Sequence, residues 1–137
     1  MRIMLIDDNA HALKLAKAVL ASAGLGECRE YTDARDALRN LPTFRPDLIL
    51  VDFEMRPMDG LEFTRSVRGA GARWAGMPIL MMTGHTSREH VLAARKAGVS
   101  GFLVKPFSTE GLLSHVRKAL NAKAEAPAAL SQQTQLL

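Results

Sequence analysis

At 137 residues, 47% of them hydrophobic and 23% charged, the chain has the size and composition of one soluble globular domain with a single core. No apolar run nears the roughly 20 residues of a membrane-spanning helix, the opening MRIMLIDD breaks into aspartates too early for a secretory leader, and a lone cysteine, Cys28, excludes an internal disulfide framework and suits a small buried side chain in a reducing cytosol. The net charge of +4 raises the question of nucleic acid, but the basic residues are scattered from Arg29 to Lys123 without interleaved aromatics and read as solvated helix faces.

Arg2 to Ile6 reads as a strand, and it ends on Asp7, Asp8 and Asn9. Any of those three could cap the helix marked by Leu13, Ala16, Val19 and Leu20, which stops near Gly24. Cys28 to Tyr31 is a weaker strand that suits a sheet edge. Ala34, Ala37, Leu38 and Leu41 mark a second helix, predicted to end before Pro42. Leu48 to Val51 is a buried strand that runs straight into Asp52, with Glu54 beyond it in the stretch DFEMRPMDG. Leu61, Phe63, Thr64 and Val67 mark a third helix, broken by Gly69 and Gly71, and Trp74 falls in the loop that follows. Pro78 to Met82 is a fourth strand, ending in Thr83 and Gly84. Val91, Leu92, Ala94 and Arg95 lie on a fourth helix closed by Gly98. Gly101 to Val104 is a fifth strand, ending in Lys105 and Pro106, and Leu112, Leu113, Val116 and Leu120 mark a fifth helix. From Ala122 the sequence AKAEAPAALSQQTQLL carries no sustained apolar stripe, so one domain over residues 1–121 is expected, followed by a mostly disordered tail over 122–137.

Strict alternation of strand and helix implies an α/β fold with a parallel sheet covered on both faces. Right-handed crossovers leave the flavodoxin-like doubly wound order 2-1-3-4-5 as the leading arrangement for five βα units. Ligands of such sheets bind outside the carboxyl ends of the strands. There the order brings Asp7, Asp8 and Asp52 together, beside Thr83 and Lys105. Three clustered carboxylates repel unless compensated. A hard divalent cation resolves the conflict, and an oxygen-only donor set favours Mg²⁺ or Ca²⁺. Lys105 supplies a point charge for a phosphoryl oxygen and Thr83 a hydroxyl donor. Taken singly, each residue has a duller role: a cap for Asp7, Asp8 or Asp52, a structural hydroxyl for Thr83, a solvated strand end for Lys105.

The combination Asp7-Asp8, Asp52 followed by Met58-Asp59-Gly60, Thr83-Gly84 and Lys105-Pro106-Phe107 resembles the receiver domain of bacterial response regulators, of the single-domain chemotaxis type, from Arg2 to about Asn121. The resemblance implies that Asp52 is the phosphoacceptor. It implies that Asp8 and Asp52 bind Mg²⁺ with the backbone carbonyl of Glu54, and that Asp7 acts mainly through metal-bound water. Lys105 would hold a phosphoryl oxygen, Thr83 would swing toward the phosphate, and Phe102 would be the aromatic switch residue. A cis bond between Lys105 and Pro106 is implied as well. The implied partners are a histidine kinase or histidine phosphotransfer protein, docking near Ala10, Leu13, Lys14, Pro106 and Phe107, and a downstream protein contacted through the fourth helix, fifth strand and fifth helix. The implied setting is the cytoplasm, with a monomer or a weak phosphorylation-dependent dimer and no catalysis beyond the protein's own phosphorylation and dephosphorylation. The sequence departs from the family pattern at Arg56, where proline is usual, with Pro57 following; at Glu54, whose side chain is within reach of an attacking water or the metal; and at Phe102, which lacks a tyrosine hydroxyl.

Two other readings compete. A receiver-shaped module could work by binding alone, without phosphorylation, although the intact acidic, hydroxyl and lysine set speaks against it. A haloacid-dehalogenase-type phosphatase also uses an Asp nucleophile with Mg²⁺, and Asp52-Phe53-Glu54 loosely echoes its acid-x-acid motif, but that family places its nucleophile after the first strand. Direct DNA binding lacks a reading helix outside the βα units.

Overall fold

Four of the five strands are runs of consecutive apolar residues because helices cover both faces of the sheet they form. The structure, a computed structural model, describes residues 1–84 and 87–136, with side chains as far as Ala122. In chain order the elements are β1 Arg2–Ile6, α1 Ala10–Ser22, β2 Glu27–Tyr31, α2 Ala34–Phe44, β3 Leu48–Asp52, α3 Gly60–Arg68, α4 Ala72–Ala75, β4 Ile79–Thr83, α5 Arg88–Ala97, β5 Gly101–Val104 and α6 Thr109–Leu136. The strands are all parallel, in the order β2-β1-β3-β4-β5. The expected flavodoxin-like order is therefore the observed one.

Alternate strand residues feed two cores. Met4, Ile6, Ile49, Val51, Ile79 and Met81 pack with α2, α3 and α5, around the fully buried Phe63. Ile3, Leu5, Leu48, Leu50, Leu80, Met82 and Leu103 pack with Leu13, Ala16 and Leu20 of α1 and Leu112, Val116 and Ala119 of α6. β2 is the exposed edge, and Cys28 on it is half-buried against the second core.

Two sequence expectations are corrected. The second helix does not stop before Pro42: α2 carries Pro42 inside it and ends at Phe44, where Arg45 turns into the left-handed region (φ 53°). Burial of Leu41 and Phe44 in the first core outweighs the hydrogen bond that proline cannot donate. Trp74 is not in a loop but in the short helix α4, 7% exposed, so the predicted fourth and fifth helices are α5 and α6. The backbone of α6 extends past Ala122 to Leu136. That stretch is rich in alanine, the strongest helix former. Its side chains from residue 123 onward lie outside the described residues.

Candidate functional site: an acidic cluster bridged by a lysine

Parallel register brings the strand ends into line. Ile6 pairs with Val51, so Asp7 and Asp52 leave neighbouring strands side by side. Asp52 pairs with Met82 and Thr83 with Val104, so Thr83 and Lys105 emerge one step further along the same edge. Asp7, Asp8 and Asp52 each present a carboxylate oxygen, and these oxygens all lie within 4.8 Å of one another. Asp8 is exposed, whereas Asp7 and Asp52 are 2% and 5% exposed.

The duller roles open to the aspartates are filled by other residues. Asn9 caps α1, its side-chain oxygen accepting from the backbone N–H groups of His11 and Ala12 at 3.0 and 3.2 Å. Asp59 caps α3, accepting from the Glu62 N–H at 2.8 Å. Asp7 Oδ1 accepts from the Asn9 N–H at 3.0 Å, which orients the carboxylate and leaves Oδ2 for the site.

Lys105 bridges the buried pair. Its Nζ donates to Asp7 Oδ2 at 2.8 Å and lies 2.7 Å from Asp52 Oδ1. The approach to Asp52 leaves Oδ1 without a well-aligned hydrogen bond, so this contact is an ion pair on an otherwise unsatisfied buried oxygen. Burial pushes the Asp52 carboxyl up to about 6; Lys105 opposes the rise, and Asp7 and Glu54 add to it. For Lys105, burial alone favours the neutral amine, but Asp52 and Asp7 outweigh it and hold the ammonium above its ordinary range.

One lysine charge faces three carboxylates, and a buried Asp52 oxygen lacks an aligned donor. That donor set fits a hard divalent cation held among Asp7, Asp8 and Asp52. Beside it opens a cleft of about 400 Å³ lined by Asp8, Phe53, Glu54, Met55, Arg56 and Asp59. The expected cis bond at Lys105–Pro106 is present, and Arg56–Pro57 in the departing loop is cis as well.

The remaining predicted residues sit as follows. Thr83 is fully buried, and its Oγ1 donates to Glu54 Oε1 at 2.8 Å. The Glu54 carboxylate, two residues past Asp52, is engaged with Thr83 and is not one of the three clustered acids. Phe102 pairs with Met81, two residues before Thr83, so both side chains lie on the first-core face of the sheet.

The sequence reading passed over Gly60 except as part of a motif. The Gly60 N–H donates to the Phe53 carbonyl at 3.0 Å, closing the loop from Asp52 onto α3. A Cβ there would stand 2.5 Å from the Asp52 carbonyl oxygen and 3.1 Å from Phe53 Cα. A glycine opening a helix soon after a strand-end aspartate was the available signal. Gly60→Ala should cost about 1–3 kcal/mol in urea unfolding, because the neighbouring atoms are backbone and cannot step aside. An unchanged unfolding midpoint would show that the loop relaxes freely.

The profile of the family described as response regulator receiver domain matches residues 3–117. The chain belongs to the response regulator receiver family. This receiver is 32% identical over 118 residues to the chemotaxis protein CheY of Pseudomonas aeruginosa, an alignment covering 86% of this chain and 94% of that one. It is 30% identical to CheY-3 of Vibrio cholerae, with 86% and 90% covered. Among solved structures, V. cholerae CheY4 superposes on the receiver with a TM-score of 0.81 at 34% identity, covering 87% of this chain and 98% of that one. A CheY-like receiver domain protein from Methanospirillum hungatei gives 0.82 at 25% identity, with 91% and 97% covered. Among the described residues no helix of this receiver is long and apolar enough to cross a membrane.

Proposed function

We propose that this receiver accepts a phosphoryl group on Asp52, with Mg²⁺ held by Asp8, Asp52 and the Glu54 carbonyl and, through water, by Asp7. The donor is a histidine kinase or histidine phosphotransfer protein in the cytoplasm. The observation that carries the reading is the gathering of three carboxylates and one lysine at the carboxyl edge of the sheet.

The chemistry follows from the residues. An Asp52 oxygen attacks phosphorus in line, the phosphorus–nitrogen bond of the donor phosphohistidine breaks, and its electron pair leaves on the imidazole. The bound cation would offset the negative charge of the phosphoryl oxygens. Lys105, already 2.7 Å from Asp52, needs little movement to meet one of those oxygens. Asp7 keeps the lysine aimed at the site from its other side. The product carries about −1.5 to −2 charges and three strong acceptors, toward which the Thr83 hydroxyl turns. Phe102, on the same face, then repacks, and the surface formed by α5, β5 and α6 presents a different shape to a protein target. The reaction ends on the protein itself, so this is a signal acceptor and not a catalyst of substrate turnover.

Incubation with Mg²⁺ and acetyl phosphate, followed by intact-mass measurement, tests the site. Wild type should gain one phosphoryl mass and Asp52→Asn none. Label that persists in the variant would place the acceptor elsewhere.

The same substitution has a second expected effect. Because burial raises the Asp52 carboxyl to about 6, the folded metal-free protein binds its proton more tightly than the unfolded chain does. Stability therefore declines as pH rises from the ordinary carboxylate range through about 6. Asp52→Asn should stabilise the metal-free protein at pH 7 by on the order of 1–3 kcal/mol, with the gain shrinking toward pH 4. Urea unfolding in chelator at both pH values checks the sign.

A further inference from the structure

Glu54 holds the hydroxyl on which switching depends. Thr83 is fully buried, and its Oγ1 donates to Glu54 Oε1 at 2.8 Å. The backbone on both sides of this contact is pinned. The Phe53 N–H donates to the Met82 carbonyl at 2.8 Å, which keeps the chain leaving β3 against the end of β4. The Lys105 N–H donates to the Thr83 carbonyl at 2.7 Å, which ties the same residue to β5. With its backbone fixed, Thr83 answers a new acceptor chiefly by rotation about χ1, between a few staggered positions.

A threonine hydroxyl has one proton to donate. Donation to Glu54 and donation to a phosphoryl oxygen on Asp52 therefore exclude each other. We propose that Glu54 is a resting-state latch: by accepting the Thr83 proton it sets the threshold that phosphorylation must exceed before Thr83 and Phe102 repack. This rests on the reading of Asp52 as the phosphoacceptor.

Glu54 is itself exposed, so its carboxylate has water within reach when Thr83 turns away. Charge drives the opening in the required direction. Glu54 already acts electrostatically on Asp52, and a phosphoryl group there brings further negative charge beside it. Both acceptors are anionic, so Thr83 exchanges one charge-assisted bond for another. The net bias toward the switched state is the difference between the two, which makes the residue at this position a tuning element.

Two variants separate the hydrogen bond from the charge. Glu54→Gln keeps a carbonyl acceptor of the same reach and loses the charge; Glu54→Ala loses both. The readout is the Thr83 γ-methyl NMR resonance of the full chain, metal-free and then with Mg²⁺ and acetyl phosphate, with intact mass recording the label. In the unlabelled protein, Glu54→Ala should move the resonance toward its position in labelled wild type, a roughly tenfold shift in the resting equilibrium. Glu54→Gln, which keeps the acceptor but loses the charge assistance, should move it in the same direction by clearly less than Glu54→Ala. A Thr83 resonance indifferent to Glu54→Ala overturns the latch, and so does equal movement in both variants, which would assign the effect to charge alone. An unlabelled wild type would instead overturn the phosphoacceptor reading, and the latch with it, so the two failures are told apart by mass.

Discussion

Lys105→Met should lower the stability of the metal-free protein at pH 7 by about 2–3 kcal/mol. Removing one partner of a buried ion pair typically costs about 3–5 kcal/mol, because the remaining charge stays buried without compensation. The estimate is set below that range because the Lys105 side chain is 28% exposed, against 2% for Asp7 and 7% for Asp52. Methionine preserves most of the aliphatic length, so the loss reports charge more than packing. The deficit should shrink as pH falls toward about 6, because without the lowering influence of Lys105 the Asp52 carboxyl of the variant takes up its proton at higher pH than in wild type and then no longer needs a cation beside it. Mg²⁺ should recover part of the loss at pH 7, since a cation on the same carboxylates replaces the missing ammonium. Labelling by acetyl phosphate should fall by about 100-fold or more, the usual scale for removing a group aimed at developing oxyanion charge. Urea unfolding with chelator or with Mg²⁺, at pH 7 and pH 5, together with labelling rates, checks each part. An unfolding midpoint indifferent to the substitution, to Mg²⁺ and to pH would mean that Lys105 does not compensate the acids.

Phe63→Ala should be the more destabilising change, at about 3–5 kcal/mol. Phe63 is fully buried on α3, in the core that packs against the face carrying Met81 and Phe102. Alanine there removes an aromatic ring and leaves a cavity that the sheet behind it cannot collapse to fill. For a domain of typical stability, about 5–15 kcal/mol, this is a fifth or more of the total. The loss should appear as a lower urea midpoint at unchanged slope, and Phe63→Leu should recover most of it. Because α3 begins at Gly60, immediately after the loop from Asp52, the alanine variant should also label more slowly even where it remains folded. A midpoint within about 1 kcal/mol of wild type would mean that the core relaxes around the hole.

Four of the strands were legible in the chain because a sheet covered on both faces demands unbroken apolar runs, and Ile3 to Ile6, Leu48 to Val51, Ile79 to Met82 and Gly101 to Val104 supply them. The edge strand at Cys28 was fainter, since its exposed positions carry charge. Pro42 misled because its missing N–H is a local penalty, whereas burial of Phe44 is a benefit that no local window contains. Trp74 misled in the same way: its helix is four residues long, and its burial comes from elements distant in sequence.

The acids and the lysine were legible as strand ends, because strand order and parallel register carry such ends to one edge whatever the side chains do. Their charge balance was not. Only the folded arrangement decided that Asn9 and Asp59 take the capping roles, that one lysine spans both Asp7 and Asp52, and that the Glu54 carboxylate turns to Thr83. Sequence patterns report which side of an element is apolar, a property of neighbours along the chain. A hydrogen bond between residues 29 positions apart depends on side-chain torsions that settle only when the strands carrying them are already packed together.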